Sequence, residues 1–121
     1  MKIIFILLIF IFPNIASAKN LNFTKIVNLK SPWGSTFIDD NNILITEKSG
    51  SIKLINIKNK NIDIINHNIN FLEHGQGGLL DVLFNENFVY ISYSENRGNG
   101  KTSTSIARSK FDKKDLIFKN I

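Results

Sequence analysis

Apolar residues fall along this chain in two regimes. From Ile3 to Phe12 they run unbroken, IIFILLIFIF. Beyond Ala18 they come in short bursts divided by Asn, Asp, Gly and Lys, and no window holds the i, i+3, i+4, i+7 stripe of an amphipathic helix. The second regime predicts strands over residues 23–29, 35–38, 43–46, 52–57, 62–65, 79–84, 89–94, 102–111 and 113–118. Between them lie turn clusters: Asp39-Asp40-Asn41-Asn42, Lys48-Ser49-Gly50, Asn59-Lys60-Asn61, Asn85-Glu86-Asn87 and the polar loop 95–101. Residues 89–94 alternate cleanly between apolar and polar. Residues 79–84 are apolar on both faces apart from Asp81, the pattern of a buried inner strand.

Eight or nine short strands joined by tight turns make an all-β fold. Strands 43–46, 52–57 and 62–65 form one antiparallel run, and 79–84, 89–94 and 102–111 another. A propeller blade is a four-stranded meander of about 40–50 residues, so the chain beyond residue 18 holds about two blades. A ring takes at least four. Two blades alone leave sheet edges and a face that wants a neighbour.

The first regime has a different meaning. Lys2 is a positive start, the apolar run follows, Pro13 and Asn14 break it, and Ala16-Ser17-Ala18 supplies small residues for a peptidase. The run falls far short of the roughly 20 apolar residues that span a membrane. Residues 1–18 are therefore expected to be a secretory signal peptide cleaved after Ala18, leaving 19–121 as the folded part, periplasmic or secreted, with no stable membrane anchor.

Charge and cysteine content add two exclusions. The 121 residues carry 15 Lys and Arg against 10 Asp and Glu, a net charge of +5. The lysines are scattered through Asn-rich turns rather than gathered in a patch, so nucleic acid is not an expected partner. With no cysteine, neither disulfides nor thiolate metal sites can stabilise the exported chain.

Chemistry concentrates in His74-Gly75-Gln76-Gly77-Gly78-Leu79-Leu80-Asp81-Val82. Three glycines in four positions serve positive φ or close backbone approach rather than core packing. Gln76 among them offers an amide that donates and accepts, suited to carboxylate and quinone oxygens; spacing alone favours instead a tight turn before a buried strand, with Gln76 capping a backbone group. Two nucleotide motifs fail on context. Gly75-x-Gly77 has Leu80 where the third glycine of a dinucleotide fingerprint belongs. Gly100-Lys101-Thr102 lacks the leading glycine of a phosphate loop, Glu95 standing there, and both are followed by strand patterns rather than helix.

Taken in order, Ser31-Pro32-Trp33-Gly34-Ser35-Thr36-Phe37, Ile43-Leu44-Ile45-Thr46-Glu47-Lys48-Ser49-Gly50, the block from His74 to Val82 and Val89-Tyr90-Ile91-Ser92-Tyr93-Ser94 resemble the soluble PQQ-dependent aldose sugar dehydrogenases, the glucose/sorbosone dehydrogenase family. The stretch from Thr104 to Arg108 fits as well, and Asn85-Glu86-Asn87-Phe88 departs from the family's usual proline and aspartate in a peripheral loop. The resemblance covers residues 23–118 and implies the N-terminal part of a six-bladed β-propeller, an incomplete one. It implies oxidation of an aldose at C1 to a lactone, with hydride passing to PQQ, a histidine as general base and Ca²⁺ holding the cofactor.

Of the family's PQQ contacts, only Gln76 maps onto this chain. The family's basic histidine lies in a His-x-x-x-Arg-Leu segment that would fall beyond Ile121, as would the other PQQ and calcium ligands. The resemblance therefore assigns no catalytic residue and no metal ligand here, and implies a chain inactive by itself. His74 is expected not to be the base, His67 to be solvated in an Asn-rich turn, Trp33 to be a blade-packing aromatic, Asp81 to accept backbone hydrogen bonds as a buried carboxylate, and Arg108 to be a surface or blade-edge cation. Two other readings stand beside this one: a secreted β-sheet binding module without catalysis, and a subunit completed by a second chain that supplies the remaining blades.

Overall fold

The computed structural model describes residues 21–121, all strand and loop. The signal peptide and its cleavage after Ala18 lie outside the described residues. Among the described residues nine strands follow one another: β1 Pro32–Phe37, β2 Asn42–Glu47, β3 Ile52–Asn56, β4 Ile62–His67, β5 Leu79–Asn85, β6 Phe88–Asn96, β7 Thr102–Lys110, β8 Asp115–Leu116 and β9 Lys119–Asn120. They form two sheets, ordered β1-β2-β3-β4-β8 and β5-β6-β7-β9. These are two meander blades, stacked and not closed into a ring.

Local chemistry sets each turn. Between β1 and β2, the Asp39 carboxylate accepts the N–H groups of Asn41 and Asn42 at 2.8 and 2.9 Å, an Asx turn. Between β2 and β3, Gly50 takes φ 102° and donates its N–H to the Glu47 carbonyl. After β3, the Asn56 side chain accepts from Lys58 and Asn59. β5 and β6 are joined by Glu86 and Asn87, both at positive φ, the two-residue type I′ connection whose twist matches paired strands. β6 and β7 then pair without interruption from Phe88↔Lys110 to Asn96↔Thr102.

The core lies between the sheets. Leu44, Ile52, Leu54 and Ile65 from the first sheet meet Leu79, Val82, Val89, Ile91, Tyr93 and Ala107 from the second. Alternation decides the faces: Val89, Ile91 and Tyr93 point inward while Tyr90 and Ser92 point out. β5 stacks on β1 and β2, and the contact is close. A Cβ on Gly34 would lie 2.7 Å from the Asp81 Cα and 2.8 Å from the Val82 nitrogen. Thr46, fully buried, accepts the Gly34 N–H at 3.1 Å and donates its one hydroxyl proton to the Leu80 carbonyl at 2.5 Å. The Phe84 N–H reaches across to the Thr36 hydroxyl at 3.2 Å.

Several expectations change. Residues 23–29 form no strand; the segment runs without a paired neighbour, with Phe23 91% exposed. Its end is tied instead, since the Lys30 N–H donates to the buried Glu47 carboxylate at 2.8 Å. The single strand expected over 113–118 splits in two. β8 returns to the first sheet, parallel to β4, and β9 closes the second beside β7. Asn68 fixes this return with both ends of its amide, donating to the Phe118 carbonyl and accepting the Phe118 N–H, so that Leu116 and Phe118 insert into the core. β5 is not buried on both faces. It is an edge strand whose outward Leu83 is 57% exposed, because only one of its faces meets the first sheet.

Glu47 bears a second tie, an ion pair with Lys53 at 3.0 Å. Burial by itself pushes its carboxyl up, but the N–H groups of Lys30 and Ser31 and the Lys53 ammonium outweigh that and hold it below the ordinary glutamate value. A carboxyl depressed in the folded state stabilises the fold above its unfolded value, about 4.3, and that contribution disappears as pH falls through the folded value. Urea unfolding should therefore show stability declining below about pH 4.3. Glu47→Gln should remove about 1–3 kcal/mol at neutral pH and flatten the acid decline; an unchanged acid limb would assign it to other carboxylates. Gly34→Ala should cost more than about 2 kcal/mol by the same measurement, since its Cβ meets backbone of the opposite sheet.

Candidate functional site

The glycine block forms a tight turn between the two sheets. The Gly77 N–H donates to the His74 carbonyl at 2.8 Å, with Gly75 at φ 56° as the first central residue, the pattern of a type II′ turn. The chain enters it through Leu72, whose N–H donates to the Ser94 carbonyl, and leaves through Gly78, whose carbonyl accepts the Ser94 N–H, each at 2.9 Å. Both ends of the turn are thus fastened to the end of β6.

The other fastening comes from the first sheet. The Lys48 carbonyl, in the β2–β3 hairpin, accepts the Leu79 N–H at 3.2 Å, and the Lys48 ammonium donates to the Gly75 carbonyl. Each glycine then has its own reason. Gly75 supplies positive φ in open space, and a Cβ on Gly77 would meet the Ser94 hydroxyl at 2.7 Å. Gly78 combines φ 151° with the Lys48 carbonyl oxygen only 2.1 Å from where a Cβ would stand.

Gln76 is the second central residue of that turn and is exposed. The tight turn read as one meaning of the block is present, but the Gln76 amide caps nothing: among the described residues no hydrogen bond engages its side chain. A rigid turn thus presents a free donor and a free acceptor to solvent.

The other residues singled out by sequence fall elsewhere. His74 is exposed and contributes its backbone carbonyl to the turn. His67 is not a solvated turn residue. It ends β4, its Nδ1 accepts the Ile69 N–H at 3.2 Å, and its Nε2 lies 2.7 Å from the Gly50 carbonyl, which fixes the tautomer with the proton on Nε2. Trp33, expected to be a blade-packing aromatic, is 49% exposed and stands where the register of β1 against β2 shifts between Pro32 and Gly34. Asp81 does accept a backbone N–H, from Val82 at 2.9 Å, yet as an exposed residue rather than a buried one. Arg108 sits on the open face of the second sheet, its guanidinium 4.7 Å from the centre of the Phe88 ring.

Thr46, Glu47 and Lys48 carried no functional expectation by sequence, although they hold the site's surroundings. Thr46 shares strand parity with the buried Leu44, and that placement of a polar residue on an inward face was the available signal. Among the described residues no three His, Cys, Asp or Glu side chains come together to hold a metal ion, and no helix is long and apolar enough to cross a membrane.

Comparison with known proteins agrees with this architecture. The family model described as Glucose / Sorbosone dehydrogenase matches residues 29–121. A crystal structure of a glucose dehydrogenase superposes with a TM-score of 0.70 at 29% identity, over 76% of this chain and 29% of that one. The apo-form of the soluble aldose sugar dehydrogenase from Escherichia coli gives 0.69 at 27% identity, over 77% and 29%. The PQQ-bound aldose sugar dehydrogenase from Streptomyces coelicolor shares the fold, with a TM-score of 0.66 at 19% identity over 78% and 30%. Among curated proteins none matches significantly. The chain spans under a third of the length of these solved structures. With the family model covering both stacked sheets and the turn between them, the chain belongs to the glucose/sorbosone dehydrogenase family.

Proposed function

We propose that this chain provides the first two blades of a PQQ-dependent aldose sugar dehydrogenase, and that Gln76 is its contact to the cofactor. Residues 1–18 would direct it to the periplasm or outside the cell, with cleavage after Ala18. The observation that carries this reading is the unengaged Gln76 amide, held at an exposed position by a turn that is fastened on both sides. When bound, PQQ supplies the acceptor for the hydride leaving C1 of an aldose as it becomes a lactone. Gln76 can donate to one cofactor oxygen and accept from a protonated group, orienting the ring edge without moving a proton itself.

Of the two histidines, His74 is exposed and gives the turn its backbone carbonyl. Both ring nitrogens of His67 are engaged within the fold. The Ca²⁺ implied by the family meets no cluster of acidic side chains among the described residues, so they do not fit that ion. The chain by itself is proposed to be inactive. A second reading, a secreted β-sheet binding module, is favoured by the open face of the second sheet, where Leu83 and Ile106 are 57% and 53% exposed. The same face could seat further blades, including those of a second chain.

Purified protein of residues 19–121, given PQQ, glucose and a dye acceptor, should reduce no dye; sustained reduction would overturn the proposed inactivity. Titration with PQQ, followed by its absorbance, should show Gln76→Ala binding about five- to tenfold more weakly than the wild type. Equal affinities would remove Gln76 from the cofactor site.

A further inference from the structure

We infer that Lys48 is the positioning residue of the Gln76 turn, so that the first sheet sets the orientation of the group the second sheet presents. Its bearing on function rests on the reading of Gln76 as a cofactor contact. Three separate features of one residue support it. The Lys48 ammonium donates to the Gly75 carbonyl, the peptide oxygen directly before Gln76. The Lys48 carbonyl accepts the Leu79 N–H on the far side of the turn at 3.2 Å. That same carbonyl oxygen occupies the space a Cβ of Gly78 would need. One residue thus grips both flanks of the turn, from a hairpin 27 positions earlier in sequence.

Lys48 is itself held on the other side. Its N–H donates to the Ser31 carbonyl at 3.0 Å, and its neighbour Glu47 binds the Lys30 N–H and the Lys53 ammonium. A side chain anchored only at its far end would follow the turn; Lys48 is anchored at its backbone, so the turn follows it. The turn's internal bond, from the Gly77 N–H to the His74 carbonyl, spans the Gly75 peptide that the ammonium grips, so loss of that grip loosens the bond along with the turn's direction relative to the first sheet. The charge-assisted contact to Gly75 supplies that direction. Because the ammonium's partner is a carbonyl, an arginine at this position can donate in the same way, whereas an uncharged isostere cannot.

The test uses the full chain and two readouts. Hydrogen exchange without PQQ reads the turn: Lys48→Met should speed exchange of the Gly77 amide about tenfold, while the Val89 and Ile91 amides keep wild-type rates and Lys48→Arg restores Gly77. An unchanged Gly77 rate, or equal acceleration of Val89 and Ile91, would overturn the inference, the second outcome by making Lys48 a residue of global stability. PQQ titration reads the consequence: Lys48→Met and Gln76→Ala should each weaken binding, and the double variant should be no weaker than Gln76→Ala alone. Fully additive losses would overturn the positioning role. If Gln76→Ala leaves PQQ affinity unchanged, the cofactor reading fails while the exchange result still decides whether Lys48 holds the turn.

Discussion

The stacking of β5 on β1 and β2 is the contact on which the rest of this structure depends. Sheets packed through large side chains usually lie about 10 Å apart. Here the approach is closer at one line, because Gly34 has no side chain and its α-carbon faces the backbone of Asp81 and Val82. Peptide groups brought together in a dry interface must be paired, since an unpaired one costs about 1–3 kcal/mol. Two threonine hydroxyls, those of Thr46 and Thr36, meet that need by bonding the Leu80 carbonyl and the Phe84 N–H of the opposite sheet. Apolar burial supplies the driving force on either side of this line, and the hydroxyls make it specific to one register.

From that line the functional turn follows. With β5 fixed against β1, the segment before it must pass over the β2–β3 hairpin, and the crossing is crowded. Phe71 lies where a Cβ of Gly50 would stand, and Lys48 where one of Gly78 would. The crowding makes the turn rigid. Gln76, left outside the crossing, keeps its amide free while the peptide groups around it are tied to Lys48 and Ser94. A rigid support with one unengaged polar group is the arrangement expected of a ligand contact, in which the ordering has been done before the ligand arrives.

The stack is also asymmetric. Its inner faces are sealed, while the outward faces of both sheets keep apolar residues in contact with water: Phe37 and Ile64 on the first, Leu83 and Ile106 on the second. Repeat architectures place polar residues on terminal faces when nothing further is to be stacked there. On the second sheet Leu83 and Ile106 stand beside the exposed Thr104, Arg108 and Lys110, so that outward face is apolar only in part.

Strands, turns and the class of fold were legible in the order of residues alone. Period-two alternation and Asn-, Asp- and Gly-rich breaks are local signals, so β2 to β7 and the hairpins between them could be read almost residue by residue. The glycine block also announced itself, because three glycines so close together have no use in a packed core. Local pattern could not say which groups would be taken up in holding the fold. Residues 23–29 read as a strand because their composition favours one, but a strand needs a paired neighbour, and among the described residues no strand pairs with them. His67 read as solvated until the fold brought the Gly50 carbonyl and the Ile69 N–H to its two nitrogens. Thr46, Glu47 and Lys48 read as ordinary hairpin residues, and the stacking of the second sheet turned them into its fastenings. Gln76 could have been a cap or a free contact by spacing. The packed chain leaves it free, because hydrogen-bond partners are set by distance in space and not by distance along the sequence.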